Sequence, residues 1–343
     1  MKFSDRSSGH DNNFNLLRML AATGVLISHA YPISLGNEAA QPLSYLLKGM
    51  TLGTLCVIIF FAISGFFIAR SFSRKSSLES FLKARALRLF PALIVVLAVT
   101  VILAALVTTA SSTTYWASVP EYYFRNLTLF FIKYNLPGVF TNNPYGSAIN
   151  GSLWTLGYEV LCYLGVALCG ILGFLEKPKL FGLAVILFLI TYGLTINSEF
   201  YGRFERLMLL AFPFVTGMSF WVWRGHIPLS ASLALVGGLA AALAWPTPIF
   251  APLFTLAVSY AVFVLGYAQI SWATAYNKLG DYSYGTYIYA FPIQQGVAWS
   301  GISAPFWNMA ISIPLTLICA ILSWHLVEAP ALKWKRVKVS RPS

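Results

Sequence analysis

Apolar residues in this chain come in long runs, with neither the alternation of strands nor the single stripe of surface helices. A helix that crosses a bilayer needs roughly 20 mostly apolar residues, within a range of about 17 to 25. Ten segments reach that standard, at about 14–33, 50–71, 87–109, 152–174, 179–197, 206–223, 228–245, 248–269, 284–302 and 306–328. They predict an all-α, polytopic transmembrane helical bundle of about ten transmembrane helices. The first 13 residues are polar, and the first apolar run carries Asn15 and Arg18 inside it. That pattern is unlike a cleavable signal peptide, so the first span is expected to stay in the mature protein. The long connection at about 110–151 holds Ser/Thr-rich and Asn/Pro/Gly-rich stretches around a short apolar piece, LTLFFI. It is too short to span and predicts an interfacial or re-entrant segment.

Composition agrees: 58% of the 343 residues are hydrophobic and 10% are charged. Soluble domains carry about 25% charged residues, so a soluble fold, a disordered chain and a coiled coil are excluded. The four cysteines lie in apolar stretches without metal-like spacing, and no metal is expected. The net charge of +12 would suggest nucleic acid in a soluble protein; here the partner it implies is the membrane lipid surface and no nucleic acid. Positive charge collects on the cytoplasmic side of membrane proteins. With the N-terminus inside, most of the 23 basic residues fall there: Lys2, Arg6, Arg70, Arg74, Lys75, Lys83, Arg85, Arg88, Lys177, Lys179, Arg224, Lys278, Lys333, Lys335, Arg336, Lys338 and Arg341. Lys48, Arg125, Lys133, Arg203 and Arg206 fall outside. The predicted topology is therefore N-in/C-in. Residues 1–343 read as one integral-membrane domain with a core at 12–335, and 336–343 as a basic cytoplasmic tail.

Ionisable groups inside a membrane are costly and mark functional sites by default. Arg18 and His29 are eleven residues apart on the first predicted helix, so they share a face with a rise of roughly 16 Å between them. Arg85 and Arg88, at i and i+3, open the third span; guanidinium forks suit phosphate oxygens. Ser152 and Glu159 share a face of the fourth. Depth counting puts Glu159 level with His29, as a carboxylate that holds an imidazole would be. Glu328 falls near the inner surface, where Arg18, Arg85 or Arg88 would meet it. The bland alternatives are a snorkelling Arg, a core His, topology-setting arginines and a structural ion pair.

Six blocks together resemble the membrane acyltransferase-3 family, nearly end to end over about residues 12–335. They are FNLLRMLAATGVLISHA with its R-x10-H arrangement, FFAISGFFI, KARALRLFP with R-x-x-R, GSLWTLGYEVLCY, LGDYSYGTYIYAFP and WHLVEAP. The resemblance implies a ten-span enzyme of the bacterial inner (cytoplasmic) membrane that O-acylates surface glycans. It implies His29 as catalytic base or acyl carrier, with Glu159 and Glu328 as functional carboxylates. Arg18, Arg85 and Arg88 would then bind the phosphates of an acyl-CoA donor, with acetyl-CoA the leading candidate as co-substrate. Ser152, Trp154 and Tyr158 would bind an extracytoplasmic glycan or glycolipid acceptor. The chain departs from the family pattern twice: Phe291 stands where many relatives have His, and Trp154 follows Ser152 rather than preceding it. A transporter or flippase is the competing reading, since intramembrane charges and interrupted spans suit one.

Overall fold

The computed structural model describes residues 2–6, 12–74, 77–196 and 202–334. Lys75, Lys335, Arg336, Lys338, Arg341 and the basic tail at 336–343 lie outside the described residues. The α-helices are α1 (Phe3–Arg6), α2 (Phe14–Leu35), α3 (Leu52–Ser73), α4 (Leu78–Ala104), α5 (Ser112–Leu127), α6 (Trp154–Ile171) and α7 (Pro178–Ile196). They continue as α8 (Arg203–Val222), α9 (Ala231–Leu243), α10 (Phe250–Gly266), α11 (Ser271–Ala275), α12 (Ser283–Trp299), α13 (Pro305–Ser323) and α14 (Ala329–Lys333). No strand occurs among the described residues; one isolated antiparallel bridge pairs Lys2 with Pro228.

Each of the ten predicted segments falls on a helix, but not every helix is long and apolar enough to cross a bilayer. Six stretches are: Phe14–Leu35, Leu52–Ser73, Leu78–Ala104, Gly151–Ile171, Pro178–Ile196 and Pro305–Lys333. A seventh is counted if α10 and the segment Ser271–Lys278, bent by 84° at the break between them, form one broken span. The shortfall has local causes. α8 opens on Arg203, Glu205 and Arg206, and α9 is held to 13 residues between Ser230, which caps it, and the turn before Pro246. α10 and α12 are 17 residues each, because apolar residues beyond their ends lie in turns rather than helix. Along α7, Leu183, Ile186, Leu187, Ile190 and Leu194 are exposed. Such an apolar surface belongs against lipid rather than water.

The chain divides into two compact units that interleave in sequence: residues 1–21, 54–76 and 158–280, and residues 22–53, 77–157 and 281–343. In the first unit α3 and α8 cross backbone to backbone. A Cβ on Gly65 would stand 1.9 Å from the Phe214 carbonyl oxygen, and one on Gly217 would stand 2.0 Å from that of Ala62. This is the small-residue contact that membrane helices use to pack closely, and it accounts for the glycine of FFAISGFFI. Phe3 is fully buried against the rings of Phe66, Phe220, Tyr260, Phe263 and Tyr267.

In the second unit α12 and α13 pack around Gly285, whose Cβ would lie 2.8 Å from the Ala320 Cα. Buried polar side chains support that pair: Asn308 Nδ2 donates to the Gln294 carbonyl at 3.0 Å and Ser312 Oγ to Asn308 Oδ1 at 3.1 Å. The long connection has structure of its own. Ser111 caps α5, and Tyr115, on its first turn, donates to the Val101 carbonyl at 2.6 Å. The piece LTLFFI is not helical beyond Leu127; it turns through Leu129 (φ +63°), which is buried, and leaves Phe131 exposed. Further on, Gln295 of α12 pins the connection by accepting from Asn143 Nδ2 and donating to the carbonyls of Gly146 and Ala148.

Candidate active site

His29 lies on α2 within the second unit, and its ring meets the edge of Phe291 with centroids 5.4 Å apart and planes at 75°. Phe291 is buried on α12 among Ile33, Ala298, Tyr145 and Ala148. Its other side touches the turn that opens α6: a Cβ on Gly151 would stand 2.6 Å from the Phe291 ring, so only glycine fits. Asn150 shapes that turn, accepting from the Ser152 N–H at 3.1 Å while its own Nδ2 donates to the Ile288 carbonyl at 2.9 Å. Two buried polar atoms have no hydrogen-bond partner among the described residues: Nδ1 of His29, and Oγ of Ser152 in the same turn as Gly151. Buried polar groups are otherwise almost always paired, which sets this imidazole nitrogen apart. Phe291, which at sequence level only marks a departure, turns out to be the aromatic wall of the histidine.

One of the expected ion pairs forms. Arg88 Nη1 reaches Glu328 Oε2 at 3.2 Å, as the position of Glu328 near the inner surface implied. Arg88 Nη2 bonds a second carboxylate, Asp281 Oδ2, at 2.6 Å. Asp281 is absent from the sequence-level candidates. Its signal lay in the block LGDYSYGTYIYAFP, where it is the acidic residue just before a predicted span. Both carboxylates are held in turn: Ser283 Oγ donates to Asp281 at 2.5 Å and Ser323 Oγ to Glu328 at 3.0 Å. The π-helical turn Trp324–Glu328 brings the second of these together across five residues. The rings of Tyr284 and Trp324 flank the Arg88 guanidinium at 5.7 and 5.9 Å. Arg88 is thus committed through both terminal nitrogens to carboxylates. Arg85, one turn earlier and half-buried, lies over the Phe81 ring.

Arg18, Glu159 and Tyr158 belong to the first unit. There Glu159 accepts from Tyr163 Oη and, at 3.4 Å, from Ser64 Oγ of the FFAISGFFI block. Arg18 is half-buried on α2, and Tyr158 is half-buried on α6. Trp154, in the second unit, is half-buried, while its neighbour Thr155 hydrogen-bonds Tyr287 Oη at 2.6 Å.

Comparison with known proteins defines the class of enzyme. A family model described as an acyltransferase domain matches residues 11–325, and the chain belongs to that family. It is an acyltransferase and a multi-pass membrane protein. Among curated relatives it is similar to an O-acetyl transferase of Shigella phage Sf6, 29% identical over 96% of this chain and 98% of the relative. It is equally similar to nodulation protein 10 of Rhizobium leguminosarum bv. viciae, 29% identical over 98% of each chain. No solved structure matches the chain.

Proposed function

We propose that the protein transfers an acetyl group from cytoplasmic acetyl-CoA to a hydroxyl of an extracytoplasmic glycan or glycolipid. The observation that carries this reading is His29 Nδ1, buried beside Phe291 and without a hydrogen-bond partner among the described residues. In the reaction this nitrogen takes the proton of the acceptor hydroxyl as the oxygen attacks the thioester carbonyl. The C–S bond breaks, and the imidazolium returns the proton to the departing thiolate. Ser152, with its unpartnered Oγ, binds the acceptor together with Trp154, two residues on; the open hydroxyl supports this. Arg85 supplies a cation for the donor phosphates. Arg88, already bonded to Asp281 and Glu328, acts by organising that helix end. Arg18, Glu159 and Tyr158 keep the roles that their motifs imply: donor phosphate, functional carboxylate and acceptor contact. The relative described as an O-acetyl transferase supports both the acetyl group and the oxygen acceptor. The chain forms one functional domain of ten spans with both termini cytoplasmic, in a bacterial inner membrane; its distribution of basic residues supports that orientation.

The test is a deletion strain assayed for ester-linked acetyl on its surface glycans, complemented with wild type, His29→Ala and His29→Gln at matched abundance in the membrane. Wild type restores acetylation and both variants fail to. Full restoration by either variant refutes the assignment of His29.

A further inference from the structure

The break after α10 exposes a second group of polar atoms, all in the first unit. α10 stops at Gly266 and α11 starts at Ser271, so carbonyls that an unbroken helix would use are left over. Asn13 takes them up. Its backbone N–H donates to the Gly266 carbonyl at 2.7 Å, and its Nδ2 donates to those of Leu265 and Ala268 at 2.9 and 2.8 Å. The Phe14 ring fills the notch, where a Cβ on Gly266 would stand 2.3 Å away. The carbonyls of Leu265, Gly266 and Ala268 are thus satisfied by Asn13. Discontinuous spans in membrane proteins commonly mark binding sites.

Tyr267 is the first residue of the break. It is 3% exposed, and its hydroxyl has no hydrogen-bond partner among the described residues. Arginines gather on the same unit. Arg70, on the last turn of α3, is 8% exposed and interacts electrostatically with Tyr267 and Arg74. Arg224, just past α8, lies with its guanidinium 4.0 Å from the centre of the Trp221 ring. Trp221 Nε1 donates to Ser73 Oγ at 3.1 Å, which fixes the end of α8 against the residue before Arg74. Burial, and secondly Arg74 within electrostatic reach, lower the proton affinity of the Arg224 guanidinium. The N-terminal segment meets the chain at Arg224, where the Ser4 N–H donates to its carbonyl at 3.0 Å. Asp5, the acidic residue of that segment, is exposed and accepts from the Lys2 N–H and Ser4 Oγ. Three cations and a buried phenol are thus drawn together from sequence positions up to about 200 apart.

We propose that Arg70, Arg74, Arg224 and the Tyr267 hydroxyl form a phosphate-binding site within the first unit. Phosphate oxygens accept from guanidinium forks and from a phenol, and a multiply charged anion offsets the repulsion among the arginines. The charge bias puts these helix ends on the cytoplasmic side. There two sources present such a group: a soluble donor nucleotide, or the headgroup of an anionic lipid. The proposal does not depend on the acyl-transfer reading.

The experiment uses the full chain in neutral-lipid nanodiscs, with three probes: inorganic pyrophosphate, coenzyme A and added phosphatidylglycerol. Pyrophosphate binding is expected to weaken about threefold to tenfold in Tyr267→Phe and by about tenfold or more in Arg74→Gln/Arg224→Gln. Arg74 is exposed, so its substitution leaves the fold intact, and circular dichroism and gel filtration check this. Arg74→Lys, which keeps the charge, retains most of the binding. Coenzyme A following the same variant pattern identifies a donor nucleotide, and retention of phosphatidylglycerol alone identifies a lipid headgroup. The proposal is overturned if no probe binds the wild type, if the variants bind as wild type does, or if only Arg85→Gln abolishes binding.

Discussion

Removing Arg88 tests the reading of the carboxylate pair most directly. At 2.6 and 3.2 Å, and at an effective dielectric of about 20, its attractions to Asp281 and Glu328 come to about 6 and 5 kcal/mol before desolvation is counted. Desolvating three partly buried ions costs several kcal/mol each, so the assembled triad contributes little net stability. Breaking it is another matter. Arg88→Gln leaves two facing carboxylates, one of them on a side chain only 2% exposed, without a cation. Loss of one partner from a buried pair costs about 3–5 kcal/mol. Asp281→Asn leaves the Arg88–Glu328 pair standing, and its expected cost is smaller, about 1–3 kcal/mol. Arg88→Gln/Glu328→Gln removes a cation and an anion together and should recover about 1–2 kcal/mol relative to Arg88→Gln alone, because groups in contact are not additive. The assay is reversible unfolding in mixed micelles with increasing SDS, followed by tryptophan fluorescence. If the double variant loses the sum of its two single losses, the coupling does not exist and the argument for the triad fails.

Three further outcomes follow from local geometry. Gly65→Ala forces a methyl against the Phe214 carbonyl and should cost about 1–3 kcal/mol or prevent assembly. Gly193→Ala on α7, which meets nothing within 4 Å, should be neutral or stabilising in the same unfolding assay. On α5, Glu121 accepts from Lys133 and, at 3.0 Å, from Arg125, and these bonds hold its carboxyl below the ordinary value of 4.5, Lys133 contributing first. A lowered folded-state value means that the contribution is present above that pH and lost as pH falls through the folded value. Protection of residues 112–133 against hydrogen exchange, taken relative to the intrinsic rate at each pH, should fall on acidification, and Glu121→Gln should be poorly protected already at neutral pH. A variant with wild-type protection at neutral pH would show that the cluster orders nothing.

Helix placement was legible because apolar runs report burial in lipid whatever the partner. Depth was legible in part: Glu328 and Arg88 stand at one level, and the structure joins them. The azimuth of a helix about its own axis was not legible, since a wholly apolar run has no polar face to orient it. For that reason Asp281 escaped notice, Phe291 read only as a missing histidine, and Arg70, Arg74 and Arg224 read as separate topology signals. Six of the ten predicted spans are long, apolar helices, with a seventh if the bent pair counts as one; the others are shorter or more polar for a different reason. A hydropathy window counts apolar residues in turns and in helix alike, and at the α9 ends and after Gly266 the chain turns.

The interleaving of the two units bears on how the protein is made. The first unit needs residues 1–21, yet its last stretch runs to residue 280; the second takes residues 22–53 and is closed by residues after 281. Neither can be completed while the ribosome is still at the middle of the message. Asn13 must wait some 250 residues of translation for the carbonyls of Leu265 and Ala268. Helices inserted early, α3 with its bare Gly65 among them, therefore sit in the bilayer with unfinished contacts until synthesis is almost over. Such half-built states are the ones that membrane chaperones shelter and quality-control proteases cut. Ribosome-bound chains truncated before residue 250 should remain protease-sensitive in α2 and α3, while the finished chain resists.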